Sequence, residues 1–199
     1  MSRTTGLLLL VVTAAGCGGS SPPKLVERPA KTAYAGVPIT PPRRAPGIAL
    51  HDAWGRPVSL AAQHGRYVLV TFLYVHCPDV CPLIAQNLNT ALRQLGPKRG
   101  RVRVLAVSVD PAGDTPRAVK HYVAERGLLP QFRYLIGSRA QLTPIWAAWH
   151  VLAVRQRPDV VDHVTYTVLV DPTGKERVLY DARVKARQVL HDLRLLLPA

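Results

Sequence analysis

The chain has 199 residues, a formal charge of +14, a 48% apolar fraction and three cysteines. That length and apolar content suit one folded domain with extensions rather than a string of domains. The basic excess favours anionic membrane surfaces and acidic proteins. Nucleic acid is set aside, because Arg99, Arg101, Arg103, Arg155, Arg157 and Arg183 are scattered rather than grouped with aromatics, and the N-terminus reads as an export signal.

In chain order, "MSRTTGLLLLVVTAAGC" places one positive charge (Arg3) before the apolar run Leu7 to Val12 and then small residues. This is the pattern of a secretory signal over residues 1–16, too short to span a bilayer, which takes about 20 apolar residues. "AAGC" resembles a bacterial lipobox, with Ala14 where that pattern prefers Leu. It predicts a lipid on Cys17 and a domain held at the cell membrane, facing the periplasm or the cell exterior. A soluble secreted protein cut nearby is the alternative. Residues 17–46 hold seven prolines and little apolar periodicity, and read as a semi-extended tether.

A folded domain is expected over residues 47–199. "GIALHDAWGRPVSL" reads as two short strands around a turn at Gly55, an N-terminal β-hairpin. "YVLVTFLYV" (67–75) and "VRVLAVSVD" (102–110) are continuous apolar runs, as in strands covered on both faces. Between them Ile84, Leu88, Leu92 and Leu95 share a helical face, stopped by Gly96 and Pro97. "TPRAVKHYVAERG" offers Thr115 as an N-cap, Pro116 in the first turn and Gly127 at the end. "FRYLIG" is a short strand and "SRAQLTPIWAAWHV" a helix despite Pro144. "HVTYTVLVDPTGKERVLYD" reads as a hairpin turning at Asp171 to Lys175, and Ala186, Leu190, Leu193 and Leu197 mark an amphipathic last helix. Helices interleaved among buried strands imply an α/β domain, a mixed central sheet flanked by helices.

"HCPDVC" puts Cys77 and Cys81 just past a buried strand and before a helix. If that helix starts near Pro78 or Asp79, the two thiols share a face, and helix N-terminal amides favour thiolates. Such a pair suits a soft metal ion or cycling through a disulfide. A structural disulfide here would close a loop too short to stabilise much. Zinc lacks ligands, whereas two thiolates with one imidazole suit copper. Among the seven histidines, His51 and His64 lie near turns, His121 and His191 on polar helix sides, and His150 in a packed position after a Trp-rich helix. His76 should point away from Cys77. His163 lies where a loop enters a strand, although an Asp-His there is, taken alone, more often structural than ligating.

Three blocks together, "HCPDVCP" (76–82), "VSVDPAGDTP" (107–116) and "VDHVTYTVLVDPTGK" (161–175), are similar in order and spacing to the Sco/SenC family of copper-binding proteins of cytochrome oxidase assembly. The resemblance covers about residues 45–197. It implies a thioredoxin-like fold and copper, Cu(I) or Cu(II), held by Cys77, Cys81 and His163. It implies copper delivery to the binuclear site of cytochrome c oxidase subunit II by a carrier that turns over no substrate. The alternative from another class is a thiol-disulfide oxidoreductase that uses Cys77 and Cys81 to keep that site's cysteines reduced. Asp79 would tune the thiols and Asp162 orient the histidine. Val164 departs from the small polar residue usual after the histidine, and "VRQRPD" is shorter and richer in arginine than the family's loop. A thiol peroxidase is disfavoured, because Val70 and Tyr74 stand where its motif needs Pro and Thr or Ser.

Overall fold

In a computed structural model of the chain, residues 33–157, 160–163 and 165–198 are described, with side chains up to 153 and again from 165. Cys17 lies outside them. Eight strands form one mixed sheet: β1 (Val37–Arg44), β2 (Ala49–Asp52), β3 (Pro57–Ser59), β4 (Tyr67–Leu73), β5 (Val102–Ser108), β6 (Phe132–Ile136), β9 (Thr167–Val170) and β10 (Lys175–Tyr180), in the order β1-β10-β9-β4-β5-β6-β2-β3. β7 (Ala153–Arg157) and β8 (Val160–His163) make a separate antiparallel ribbon. Helices α1 (Val80–Gln94), α2 (Pro116–Glu125), α3 (Arg139–Ala148) and α4 (Ala186–Leu196) complete the domain.

The central strands are the continuous apolar runs. β4 pairs in parallel with β5 and antiparallel with β9, and Leu69, Phe72 and Leu73 have no exposed surface. Burial on both faces is why neither strand shows polar alternation. The crossovers β4-α1-β5 and β5-α2-β6 step in one direction across the sheet, and right-handed crossovers of that kind place α1 and α2 on one face. α4 packs beside α1, where Asn87 Oδ1 accepts the amide of Ala186 at 3.1 Å. Helix starts follow their residues. Thr115 Oγ1 accepts the Ala118 amide at 3.2 Å ahead of Pro116, and Ser138 and Gln141 form a capping box on α3. The expected β2–β3 hairpin is present, with Gly55 at φ 77° in its turn.

Two elements differ from the sequence expectation. Residues 37–44, read as part of the tether, form the edge strand β1 on β10, with an irregular register between Pro38 and Arg43. Proline is tolerated at a sheet edge, where its missing amide hydrogen faces outward, so proline content alone does not exclude a strand. Gly36 leads in so closely that a Cβ there would lie 2.4 Å from Val178 Cγ1. The buried Asp192 of α4 fixes this entrance by accepting the amides of Ala35 (2.7 Å) and Gly36 (3.0 Å) and the Tyr180 hydroxyl (2.8 Å). The second difference lies at residues 153–163. His163 ends β8 of the ribbon, and the sheet strand begins only at Thr167.

Candidate thiol and metal site

The two cysteines sit beyond the end of β4. Both are free thiols, Cys77 9% and Cys81 0% exposed. The helix starts later than the sequence suggested. Asp79 is the N-cap, with non-helical φ −131° and ψ −88°, and makes no side-chain cap bond, so Cys81 lies in the first turn while Cys77 precedes the helix. The thiols therefore converge across the helix start rather than along one helical face. The Cys81 amide points at the Cys77 sulfur at 3.4 Å. The Cys81 thiol also donates to that sulfur, and this bond, helped by the amides of Asp79 and Cys81 and by the Tyr74 hydroxyl, outweighs burial and pulls Cys77 down to about 5. Cys81, as the donor in a buried place, is pushed far above the ordinary thiol range. The two sulfurs titrate as a pair, with the negative charge favoured on Cys77 and the proton on Cys81.

The loop from Val109 to Thr115 holds this arrangement in place. Asp114, 3% exposed, accepts the Val75 amide at 2.8 Å, the Ser108 hydroxyl at 2.6 Å and the Tyr134 hydroxyl at 3.1 Å. Burial dominates these bonds and raises its carboxyl to about 7. Asp110 Oδ1 takes the amides of Ala112 and Gly113, and Trp146 Nε1 donates to the Ser108 carbonyl at 2.9 Å. A Cβ on Gly113 would fall 2.3 Å from Asp110 Oδ2 and 2.9 Å from His76 Nδ1, so the two loops meet closely at that glycine. Sequence reasoning quoted this block but gave Asp114 no role. The signal it carries, a carboxylate in an apolar neighbourhood, is legible only once Val75 and Tyr134 are in place.

The ribbon starts and ends at an aromatic cluster. Trp149 and Tyr166 flank Phe72 of β4 with ring centroids 5.8 and 5.7 Å away, and the Tyr166 hydroxyl donates to the Trp149 carbonyl. In the ribbon register Ala153 faces His163, so His163 belongs to the base of the ribbon and not its tip. The side chains of Asp162 and His163 lie outside the described residues. His150, read as a packed core residue, is instead exposed, in the left-handed conformation (φ 56°) that ends α3. His51, His64 and His121 are exposed as read. His191, half exposed, contacts Asp192 at 2.8 Å. Among the described residues no three His, Cys, Asp or Glu side chains are grouped to hold a metal ion. The described donors fit a soft cation, since they are a thiolate and a thiol with no carboxylate bonded to either sulfur.

The profile of the SCO1/SenC family matches residues 45–197, the span from the end of β1 through α4. The chain belongs to the SCO1/SenC family. Among solved Sco structures it is similar to apo Sco1 of Thermus thermophilus, 32% identical with a TM-score of 0.71 over 82% of this chain and 97% of that one. It is also similar to ScoI of Bradyrhizobium japonicum, solved with copper bound, at 27% identity and a TM-score of 0.69 over 78% of this chain and all of that one. These Sco likenesses and the mixed sheet make the fold thioredoxin-like. The bovine mitochondrial SCO2 homolog is 30% identical over 154 residues, which is 74% of this chain and 57% of that protein, so the match spans less than two thirds of the relative.

Proposed function

We propose that this SCO1/SenC domain is a membrane-tethered copper metallochaperone that holds copper through Cys77, Cys81 and His163 and serves assembly of the binuclear copper site of cytochrome c oxidase subunit II. The observation that carries the reading is the depressed Cys77 sulfur beside the buried Cys81 thiol, on a loop braced by Asp114. A thiolate already present at neutral pH needs no proton removed before a metal binds, and two sulfurs suit Cu(I). His163 supports the reading by its place in the chain. It is three residues before Tyr166, so its Cα is within about 11 Å of a residue stacked on the strand that leads to Cys77. The bound copper is cargo, and the domain's own contribution is to present deprotonated sulfur and to limit solvent access.

A copper titration of the wild type beside Cys77→Ser, Cys81→Ser and His163→Ala tests it. One equivalent is expected for the wild type and a loss of affinity in every variant. Unchanged affinity in His163→Ala defeats the three-ligand site.

A second reading is favoured by the asymmetry of the pair. A thiolate at the more accessible cysteine and a buried thiol behind it is the order needed for disulfide exchange. Cys77 would attack a partner disulfide to form a mixed disulfide, and Cys81 would displace it. The partner leaves as a dithiol, and this chain's disulfide awaits an external thiol reductant. His163→Ala separates the two readings, because only copper binding depends on it. Export and a lipid on Cys17 complete the proposal. Incorporation of labelled palmitate, lost in Cys17→Ala, tests them. Among the described residues no helix is long and apolar enough to cross a membrane.

A further inference from the structure

A cavity of about 790 Å³ lies between the edge strand β1 and the aromatic cluster at the base of the ribbon. Ile39 of β1, Val168 of β9 and Leu179 of β10 give it apolar walls, and Trp149 and Tyr166, the two rings that flank Phe72, add aromatic surface. The irregular register of β1 makes room for it. From Pro38 to Arg43 that strand takes five steps while β10 takes two, from Val178 to Glu176, so the segment around Ile39 leaves the ladder. The buried charge in the lining is Glu176, whose side chain is 3% exposed, and it holds the Arg43 guanidinium, 65% exposed. That bond uses Arg43 Nε, so the two terminal amino groups are left without an acceptor among the described residues. Burial raises the Tyr166 pKa to about 12, and Glu176 adds to the rise while Arg43 opposes it, which puts the ion pair and that hydroxyl in one neighbourhood. Arg44 also lines the cavity, with Lys175 opposite it in the register, and neither has a carboxylate within 4.0 Å among the described residues. Glu176 cancels one of these three positive charges. Asp181 lines the cavity beyond the other end of β10, so an anion is drawn to the arginine end alone.

We propose that this cavity binds a fatty carboxylate, its head on the free fork of Arg43 beside Arg44 and its chain across Ile39, Val168 and Leu179 toward Trp149. The two terminal N–H groups of a guanidinium match a carboxylate in plane and spacing, and a guanidinium already fixed by Glu176 loses little freedom on meeting a second one. The volume and the apolar lining with a few convergent polar groups are those of a small-ligand site. From Glu176 to Tyr180 the strand advances four residues, about 13 Å, which sets a chain of medium length. An acidic peptide would also find the charges. However, Val168 and Leu179 present the side-chain face of the sheet, where a peptide's own amides would be buried without partners. An acyl chain has no such groups to satisfy. The site uses none of the sulfurs and stands whether or not they hold copper.

The test is a fluorescence titration of the full chain, under reductant, with 11-(dansylamino)undecanoate, followed by displacement with dodecanoate and with dodecanol. Expected is saturation at one probe per chain, with dodecanoate displacing it and dodecanol, which lacks the charged head, weaker by about tenfold or more. Arg43→Gln and Glu176→Gln are made together, so that no buried carboxylate is stranded, and with Arg44→Gln they should weaken binding about tenfold or more. Leu179→Trp narrows the cavity from a partly exposed position and should weaken it to a similar degree. Replacing Lys98, Arg99 and Arg101 together by Gln removes as much positive charge from the turn before β5 and should leave binding within about twofold of wild type. Dodecanol equal to dodecanoate, equal losses in the two charge variants, wild-type binding by Leu179→Trp, or no saturable binding would each overturn the proposal. So would polyglutamate displacing a probe that dodecanoate leaves in place, which would assign the cations to an acidic protein. Free-thiol counts and far-ultraviolet spectra establish that the variants fold.

Discussion

Cys77 and Asp114 are shifted in opposite senses, and stability carries both marks. An unfolded carboxyl titrates near 4 and a thiol near 8.5. Asp114, at about 7 in the fold, keeps a proton that the unfolded chain has lost, so stability falls as pH rises from about 4 to about 7. Cys77, at about 5 in the fold, has given up a proton that the unfolded chain still holds, so stability climbs from about pH 5 to about 8.5. Between about 5 and 7 the two slopes cancel. Asp114→Asn removes the falling one, and its urea-unfolding free energy under reductant should climb across the interval where the wild type stays level. Alkylation follows from the same asymmetry. Iodoacetamide below neutral pH should label Cys77 with a midpoint near its pKa of about 5 and spare Cys81, as read by peptide mass. The thiols were legible in the sequence as a pair. Which of them is ionised was not, because that depends on the Cys81 amide and thiol aimed at Cys77 and on the Tyr74 hydroxyl.

Elements whose signals are local could be read directly. The buried β4 and β5 announced themselves as apolar runs, α2 by Thr115 and Pro116, and the β9–β10 hairpin by its Asp171 to Lys175 turn. Elements fixed from a distance could not. β1 owes its position to Asp192, 157 positions from Ala35, and nothing in "VPITPPRR" reports that contact. Asp192→Ala would leave the amides of Ala35 and Gly36 and the buried Tyr180 hydroxyl without their acceptor. We expect a loss of about 3 kcal/mol in urea unfolding and faster amide exchange in the strand segment of residues 37–44. The sequence reads as a loop that enters the hairpin strand at His163, whereas that stretch forms the β7–β8 ribbon and the sheet strand begins at Thr167. The break falls where Tyr166 turns to reach Trp149. Tyr166→Phe removes that clamp. It should cost about 1 kcal/mol of stability, and if His163 is a ligand, roughly tenfold in copper affinity on titration.

For the molecule as a whole, the resemblance carried by three short blocks extended to the fold because those blocks are its loops and strand ends. The first two lie at or beside the thiol end, and the third runs from there along β9 to the β9–β10 turn at the opposite end of the sheet. Charge was less well read. Arg99, Arg101 and Arg103 look dispersed along the sequence, yet Arg66 joins them across the β4–β5 register and Arg133 through β6. The two margins of the eight-stranded sheet have a further consequence. β1 contributes Pro38, Pro41 and Pro42, and β3, only three residues long, opens on Pro57. A foreign strand laid along either border finds too few donors to zip onto, so neither self-association by sheet extension nor capture of an extended peptide is favoured. Recognition is left to loops and side chains, whose contacts can form and dissolve without rearranging the sheet.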